Sequence, residues 1–443
     1  MKLNILKKKI KNKQIITILF MILIFIILNG TLFLTGASGG DVSMQQSWGN
    51  HALKNGIASV YLTAFTDYPP LYMYVLKFNA WLNQKLFGHT NIMSASYLFI
   101  SKTIPTLCNL LIGLLVFFYL RKKNYKIALI AMCLYLFNPA VIYNTAYWGQ
   151  VDSVNTLFMF LSIILLIYKK YISSTIFIIL AVLTKIQSIV LFPVVGIIIL
   201  MNLNIKEILK LIIVNIFVII SILLPYIFAG ALPYVIRRFF PVGYVPYATI
   251  NAYNLWWFLT KPSSLHFPNT VLDTSTFIGL SLKKIGLILL GIYTLLVIYQ
   301  LLKNKDSNNI VLAAVSMAFA FFMLPTEIHE RYLFPFFALA SLTVLKNKKF
   351  LIVYILSSIT SLLNLMVCLP FNNTNFIFGP IQAFLNFLIN NFSVFNVAFV
   401  ISAINVLVFV YFSKIGIFNG LLLNFRKDFL EFKKFIVSKL TRI

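Results

Sequence analysis

Residues 171–201 read YISSTIFIILAVLTKIQSIVLFPVVGIIILM, and the way they cross a membrane decides the fold. Two apolar runs, 171–184 and 188–201, are separated only by Thr184-Lys185-Ile186-Gln187-Ser188. Each is shorter than the roughly 20 residues a helix needs to cross about 30 Å of hydrocarbon. Two readings are open: a pair of short helices meeting near the outer face, or one long kinked helix that inverts everything after it. Working outward, apolar spans fall near 15–35, 96–119, 127–145, 153–168, 171–184, 188–201, 211–229, 285–302, 309–325, 332–345, 350–369 and 394–413. Lys and Arg mark cytoplasmic loops, so charge arbitrates. With the pair, Lys7-Lys8-Lys9, Arg121-Lys122-Lys123, Lys169-Lys170, the Lys346–Lys349 loop and the tail from Lys414 all share the inner side. The single helix puts the Lys346 loop and the tail outside. The expectation is therefore an all-α polytopic membrane protein of about 12 transmembrane helices with both termini cytoplasmic.

Composition agrees. Of 443 residues, 60% are apolar and 11% charged, whereas soluble domains run near half and a quarter; a water-soluble protein is excluded. The net charge of +27 follows the loops, without the basic patches and interleaved exposed aromatics that nucleic acid requires. Cys108, Cys133 and Cys368 lie inside apolar runs with neither zinc nor redox spacing. The first run is longer than a signal core, so an uncleaved anchor is expected although Thr35-Gly36-Ala37 follows it. Residues 414–443 alternate Phe, Leu and Ile with Lys and read as a basic amphipathic cytoplasmic tail.

Only ten residues are acidic. Glu207, Asp306, Asp428 and Glu431 fall in inner loops beside lysines, where solvated ion pairs account for them. Asp41, Asp67, Asp152, Asp273, Glu327 and Glu330 map outside, as do His51, His89, His266 and His329. Ionisable groups at membrane junctions are costly and mark function. Two long outer loops, near 36–95 and 230–284, carry many of them.

Asp41 follows Gly39-Gly40 and reads either as an acceptor of a hydroxyl proton or as a helix cap. Asp67-Tyr68-Pro69-Pro70 starts a helix whose Leu71, Val75, Phe78, Leu82 and Leu86 form one apolar stripe, as on a membrane surface; Asp67 again reads as a cap or as chemistry. Trp148-Gly149-Gln150-Val151-Asp152-Ser153 opens the fourth span, where Asp152 and Gln150 exceed what capping needs. Glu327-Ile328-His329-Glu330-Arg331 is dense in charge: Glu327 and Arg331 suit an i, i+4 pair, while Arg331 and His329 suit phosphate oxygens. Lys102 and Lys185 sit at or within span ends, as snorkelling cations or anion ligands. Arg237-Arg238 adds two outer cations near Asn254-Leu255-Trp256-Trp257-Phe258. HExxH spacing is absent.

In this order, Asp41, Asp-Tyr-Pro-Pro-Leu (67–71), Trp-Gly-Gln-Val-Asp-Ser (148–153), Thr-Lys-Ile-Gln (184–187), Asn-Ala-Tyr-Asn-Leu-Trp (251–256) and His-Glu-Arg-Tyr (329–332) resemble the integral-membrane GT-C glycosyltransferases. The closest branch is the prokaryotic relatives of the second GPI-anchor mannosyltransferase; the Asp-Tyr-Pro-Pro motif is shared with dolichyl-phosphate-glucose-dependent glucosyltransferases. The resemblance covers about 30–345, a transmembrane catalytic module (1–345); the helices of 346–413 carry no such motif. It implies surface helices in the first outer loop, a cavity facing outside, and inverting transfer of a hexose, mannose or glucose, from a polyprenyl or dolichyl phosphate. The acceptor would be a lipid-linked or cell-envelope glycan on the outer face; the excess of lysine over arginine, with many Ile and Asn, separately favours a prokaryotic plasma membrane. The resemblance implies Asp41 as base, Asp67 and Asp152 (with Tyr68 and Gln150) at the acceptor, and Lys185, His329 and Arg331 near the donor phosphate. Arg237 and Lys102 join the phosphate set, with Glu327, Glu330 and Trp148 in support. No cofactor or essential metal is expected. A flippase or transporter of lipid-linked sugars would place charge near the midplane and show inverted repeats. A polysaccharide polymerase or ligase would use a lipid-diphosphate donor.

Overall fold

The computed structural model describes residues 2–34, 39–64, 66–239, 246–261, 271–372 and 378–417. Most of the expected tail, His266 and Thr35-Gly36-Ala37 lie outside the described residues. The chain opens with α1 (Lys2–Leu32), and α2 (Gly39–Asn55), α3 (Ser59–Thr63) and α4 (Pro70–Phe87) build the first long loop. Next come α5 (Ala95–Leu120), α6 (Tyr125–Leu136), the short α7 (Pro139–Ile142), a π turn at Tyr143–Tyr147, and α8 (Asp152–Ile167). After them stand α9 (Tyr171–Thr184), α10 (Phe192–Asn202), α11 (Ile205–Phe228), and the loop helices α12 (Leu232–Phe239) and α13 (Leu255–Thr260). The chain closes with α14 (Leu282–Lys303), α15 (Ser307–Met323), α16 (Phe334–Ala340), α17 (Lys348–Cys368), α18 (Gly379–Phe392) and α19 (Val394–Gly416).

The deciding stretch forms a hairpin. α9 ends at Thr184, a 3-10 turn runs over Ile186–Leu191, and α10 returns. Leu203 and Glu207 border the same cavity as Lys169, Lys170 and Tyr171, so the chain comes back to the end it left. Other loops expected inside meet at that end. Lys122 Nζ reaches the Tyr168 hydroxyl at 3.4 Å, Tyr125 donates to Gln14 O at 3.2 Å, Lys305 reaches Asn202 at 3.2 Å, and Lys346 bonds Asn308.

Among the described residues, six helices are long and apolar enough to cross a membrane, or seven if one bent pair counts as a crossing. The protein is thus an all-α polytopic membrane protein, with fewer full-length helices than the twelve spans read from the sequence. The bent pair is 127–145: Asn138 caps a new helix with Pro139 at its first position, and the segments meet at 43°. The 332–345 span shortens to α16 and the turns that follow it. α8, α9, α10 and α15 are also short. Helices of 11–17 residues are only about 16–26 Å long, yet α8 and α15 are clothed by protein along most of their length. Such helices need not match the bilayer thickness that lipid imposes on exposed ones.

α4 is apolar on two sides. Tyr72, Met73, Leu76, Ala80 and the amides Asn79 and Asn83 face the protein, while Phe78 and Leu86 of the predicted stripe point away from it. α2 approaches α4 closely because position 49 is glycine: a Cβ there would stand 2.5 Å from Leu76 O. α18 falls where only a connection was expected, between 369 and 394. Pro380 opens it, and Gln382 anchors it by accepting the Phe371 N–H at 2.9 Å.

Candidate active site

Asp41 sits in the first turn of α2, and its carboxylate accepts a hydrogen bond from Gln150 Nε2, 109 residues away. Gly149 makes the meeting possible. Its φ is +85°, and a Cβ there would lie 2.7 Å from Val42 Cγ2, so only glycine lets this turn press against the start of α2.

Asp152 is fully buried in the first turn of α8. Its Oδ1 takes Lys185 Nζ at 2.6 Å, and its Oδ2 takes Asn144 Nδ2 at 3.2 Å. A capping role is not what holds it: the N-cap of α8 is Val151, and Ser153 donates instead to Pro105 O at 2.7 Å. The Lys185 ammonium also lies 5.8 Å from the ring centres of both Tyr68 and Tyr332, a favourable placement for a cation. The 67–71 motif and the 329–332 motif thus flank the 184–187 motif.

Asp67 does not cap α4, whose N-cap is Pro69. Its neighbours are held by aromatic hydroxyls: Tyr61 donates to Tyr68 O at 2.6 Å and Tyr226 to Pro70 O at 2.9 Å. Asp67 instead lines a cavity of about 320 Å³ with Gln187, Arg238, Glu327, His329 and Tyr332. The predicted i, i+4 pair of Glu327 and Arg331 does not form. Glu327, at φ +61°, pairs with Lys283 at 2.6 Å, and Arg331 grips Glu330 at 2.6 Å. Burial alone would raise the Glu330 carboxyl, but the Arg331 guanidinium, with His329 behind it, holds it down to about 2. Glu330, Asp41 and Asp152 all act electrostatically on Arg331.

The fold therefore gathers Asp41, Asp67, Tyr68, Gln150, Asp152, Lys185, His329, Glu330 and Arg331 at one end of the bundle. Two predicted phosphate ligands stand differently. Arg237 is exposed, 6.0 Å from the Tyr234 ring, and its neighbour Arg238 lines the cavity. Lys102 is fully buried and donates to Phe33 O at 3.0 Å and Tyr147 O at 2.9 Å, which ties α1 to the π turn. Trp148 is buried, with no hydrogen-bond partner for Nε1 among the described residues. Asn144, which donates to Asp152, belongs to none of the motifs; its only mark in the sequence is an amide within the apolar 127–145 run, a mark it shares with Asn138. Among the described residues no group of three or more His, Cys, Asp and Glu is placed to hold a metal.

Fold and site together define a polytopic membrane protein with an ion-paired cavity at the bundle end opposite its basic loops. Neither a scan against protein-family models nor a search of curated proteins returns a match.

Proposed function

We propose that the protein is a GT-C-type glycosyltransferase that moves a hexose, mannose in preference to glucose, from a polyprenyl phosphate to a lipid-linked or envelope acceptor on the outer face. One observation carries this reading: the 67–71, 184–187 and 329–332 motifs line one cavity through Asp67, Gln187, His329 and Tyr332, and the same end of the bundle holds the Asp41–Gln150, Asp152–Lys185 and Glu330–Arg331 pairs. The twelve crossings and the cytoplasmic termini belong to the same proposal.

In the reaction, the acceptor hydroxyl attacks the anomeric carbon while the bond to the donor phosphate breaks. The proton passes to Asp41, and polyprenyl phosphate leaves. A positioned base contributes about 10²–10⁴-fold. Arg238, His329 and Arg331 meet the phosphate charge, so fixed cations stabilise the departing group. Asp152 keeps Lys185 oriented between Tyr68 and Tyr332, and Gln150 orients Asp41.

The reading is tested by thermal stabilisation of purified protein with polyprenyl-phosphate mannose and polyprenyl-phosphate glucose. A donor at about 100 times its Kd stabilises by about 2.7 kcal/mol. One of the two should stabilise the wild type, and Arg238→Ala should lose most of the shift. No shift with either donor contradicts the proposal.

A further inference from the structure

The helices beyond residue 345 carry no motif of the resemblance, yet they hold part of the site in place. Asn364 on α17 is wholly buried. Its Nδ2 donates to Asn251 O at 2.8 Å, and its Oδ1 accepts the Tyr253 N–H at 3.0 Å. From α19, Asn405 Nδ2 donates to Tyr253 O at 2.7 Å. A buried amide is costly unless partnered, and each of these two gives a donor to a main-chain carbonyl of a single short segment.

That segment needs holding, because Asn251 has φ +61°, in the left-handed region. It also carries the neighbouring loop. Ile250 N–H donates to Ile328 O at 2.9 Å, and residues 250 and 251 both pair with His329 as isolated bridges. Glu330 and Arg331 follow directly. The Asn364 side chain therefore holds the main chain of 251 and 253, and the main chain of 250–251 in turn pairs with residues 328 and 329 ahead of Arg331.

We propose that Asn364 is a positioning residue for the His329–Arg331 segment that faces the donor phosphate, acting through the main chain of 250–253. This rests on the function proposed above. It assigns a role in donor recognition to the part of the chain in which the motifs are silent.

The test uses full-length protein in nanodiscs, with hydrogen exchange and steady-state kinetics read on the same samples. In Asn364→Leu, amide exchange across 326–333 should speed up about tenfold or more while exchange around Asp152 and Lys185 stays unchanged. The donor KM should rise about ten- to a hundredfold, with the acceptor KM unchanged and kcat within about threefold. Asn364→Asp keeps an oxygen for the Tyr253 N–H and should fall between the wild type and Asn364→Leu on both measures. Unchanged exchange at 326–333 overturns the proposal, and so does faster exchange spread over the whole protein in both variants. A lower kcat with an unchanged donor KM overturns it as well. If the wild type transfers no sugar while the localised exchange effect is present, the coupling stands and the proposed function falls.

Discussion

Gly149 sets the contact between Gln150 and Asp41. Its φ of +85° and the 2.7 Å approach to Val42 leave no room for a side chain, so Gly149→Ala strains the turn and pushes Gln150 away from Asp41. Sparsely populated backbone costs about 1–3 kcal/mol, and a displacement of about 1 Å costs about a hundredfold in rate. Transfer assays on the folded variant should show that loss, and a rate within about threefold of wild type would remove the turn from the site. Glu330 and Arg331 make a second prediction at this scale. The Glu330 carboxyl is held down to about 2, below the usual value of about 4.3 for glutamate. A depressed carboxyl stabilises the fold above its unfolded pKa, and that contribution is lost as pH falls from about 4.3 towards 2. Wild-type Tm should drop across that interval, while Glu330→Gln should start about 3–5 kcal/mol less stable at neutral pH and change less below it. Parallel pH profiles for the two proteins would contradict the pair's role.

The element that decides topology, the α9–α10 hairpin, also presents Lys185 to Asp152 at 2.6 Å in a fully buried setting. Removing one partner of such a pair leaves an uncompensated charge and costs about 3–5 kcal/mol. Asp152→Asn and Lys185→Met should each show this in thermal melts, and the double variant should lose less than their sum. Strict additivity would mean that the two groups do not interact. The hairpin was legible because two short apolar runs flank a polar break and the loops on both sides are basic. Other elements were less so. Arg237 and Arg238 are adjacent in sequence, and only the phase of α12 decides which of them reaches the cavity. Lys102 reads as a charge inside a span, and nothing local reveals that carbonyls of Phe33 and Tyr147 will surround it, because the π turn creates one of them. Asn364 and Asn405 were visible as lone amides in apolar helices, but their partners lie more than a hundred residues away. α18 was hidden by its lack of charge and by the Asn residues that give it the look of a loop.

The bundle as a whole has two chemically different ends. Basic loops meet at one, and Asp41, Asp67, Asp152 and the 327–332 turn meet at the other. Cysteines introduced at the exposed positions Lys54 and Lys348 should react with impermeant reagents from opposite sides of sealed vesicles. Cysteines at Lys169 and Asn204 should react from the same side as Lys348, since the hairpin returns its chain. Labelling of 169 and 204 from opposite sides would refute the hairpin. The sharpest test of the proposed reaction is sugar transfer from polyprenyl-phosphate mannose or glucose by wild type and Asp41→Asn in the same membranes, with expression and melting temperature matched. The wild type should transfer sugar and the variant should lose about 10²–10⁴-fold; an Asp41→Asn protein that transfers sugar at the wild-type rate contradicts the role of Asp41 as base.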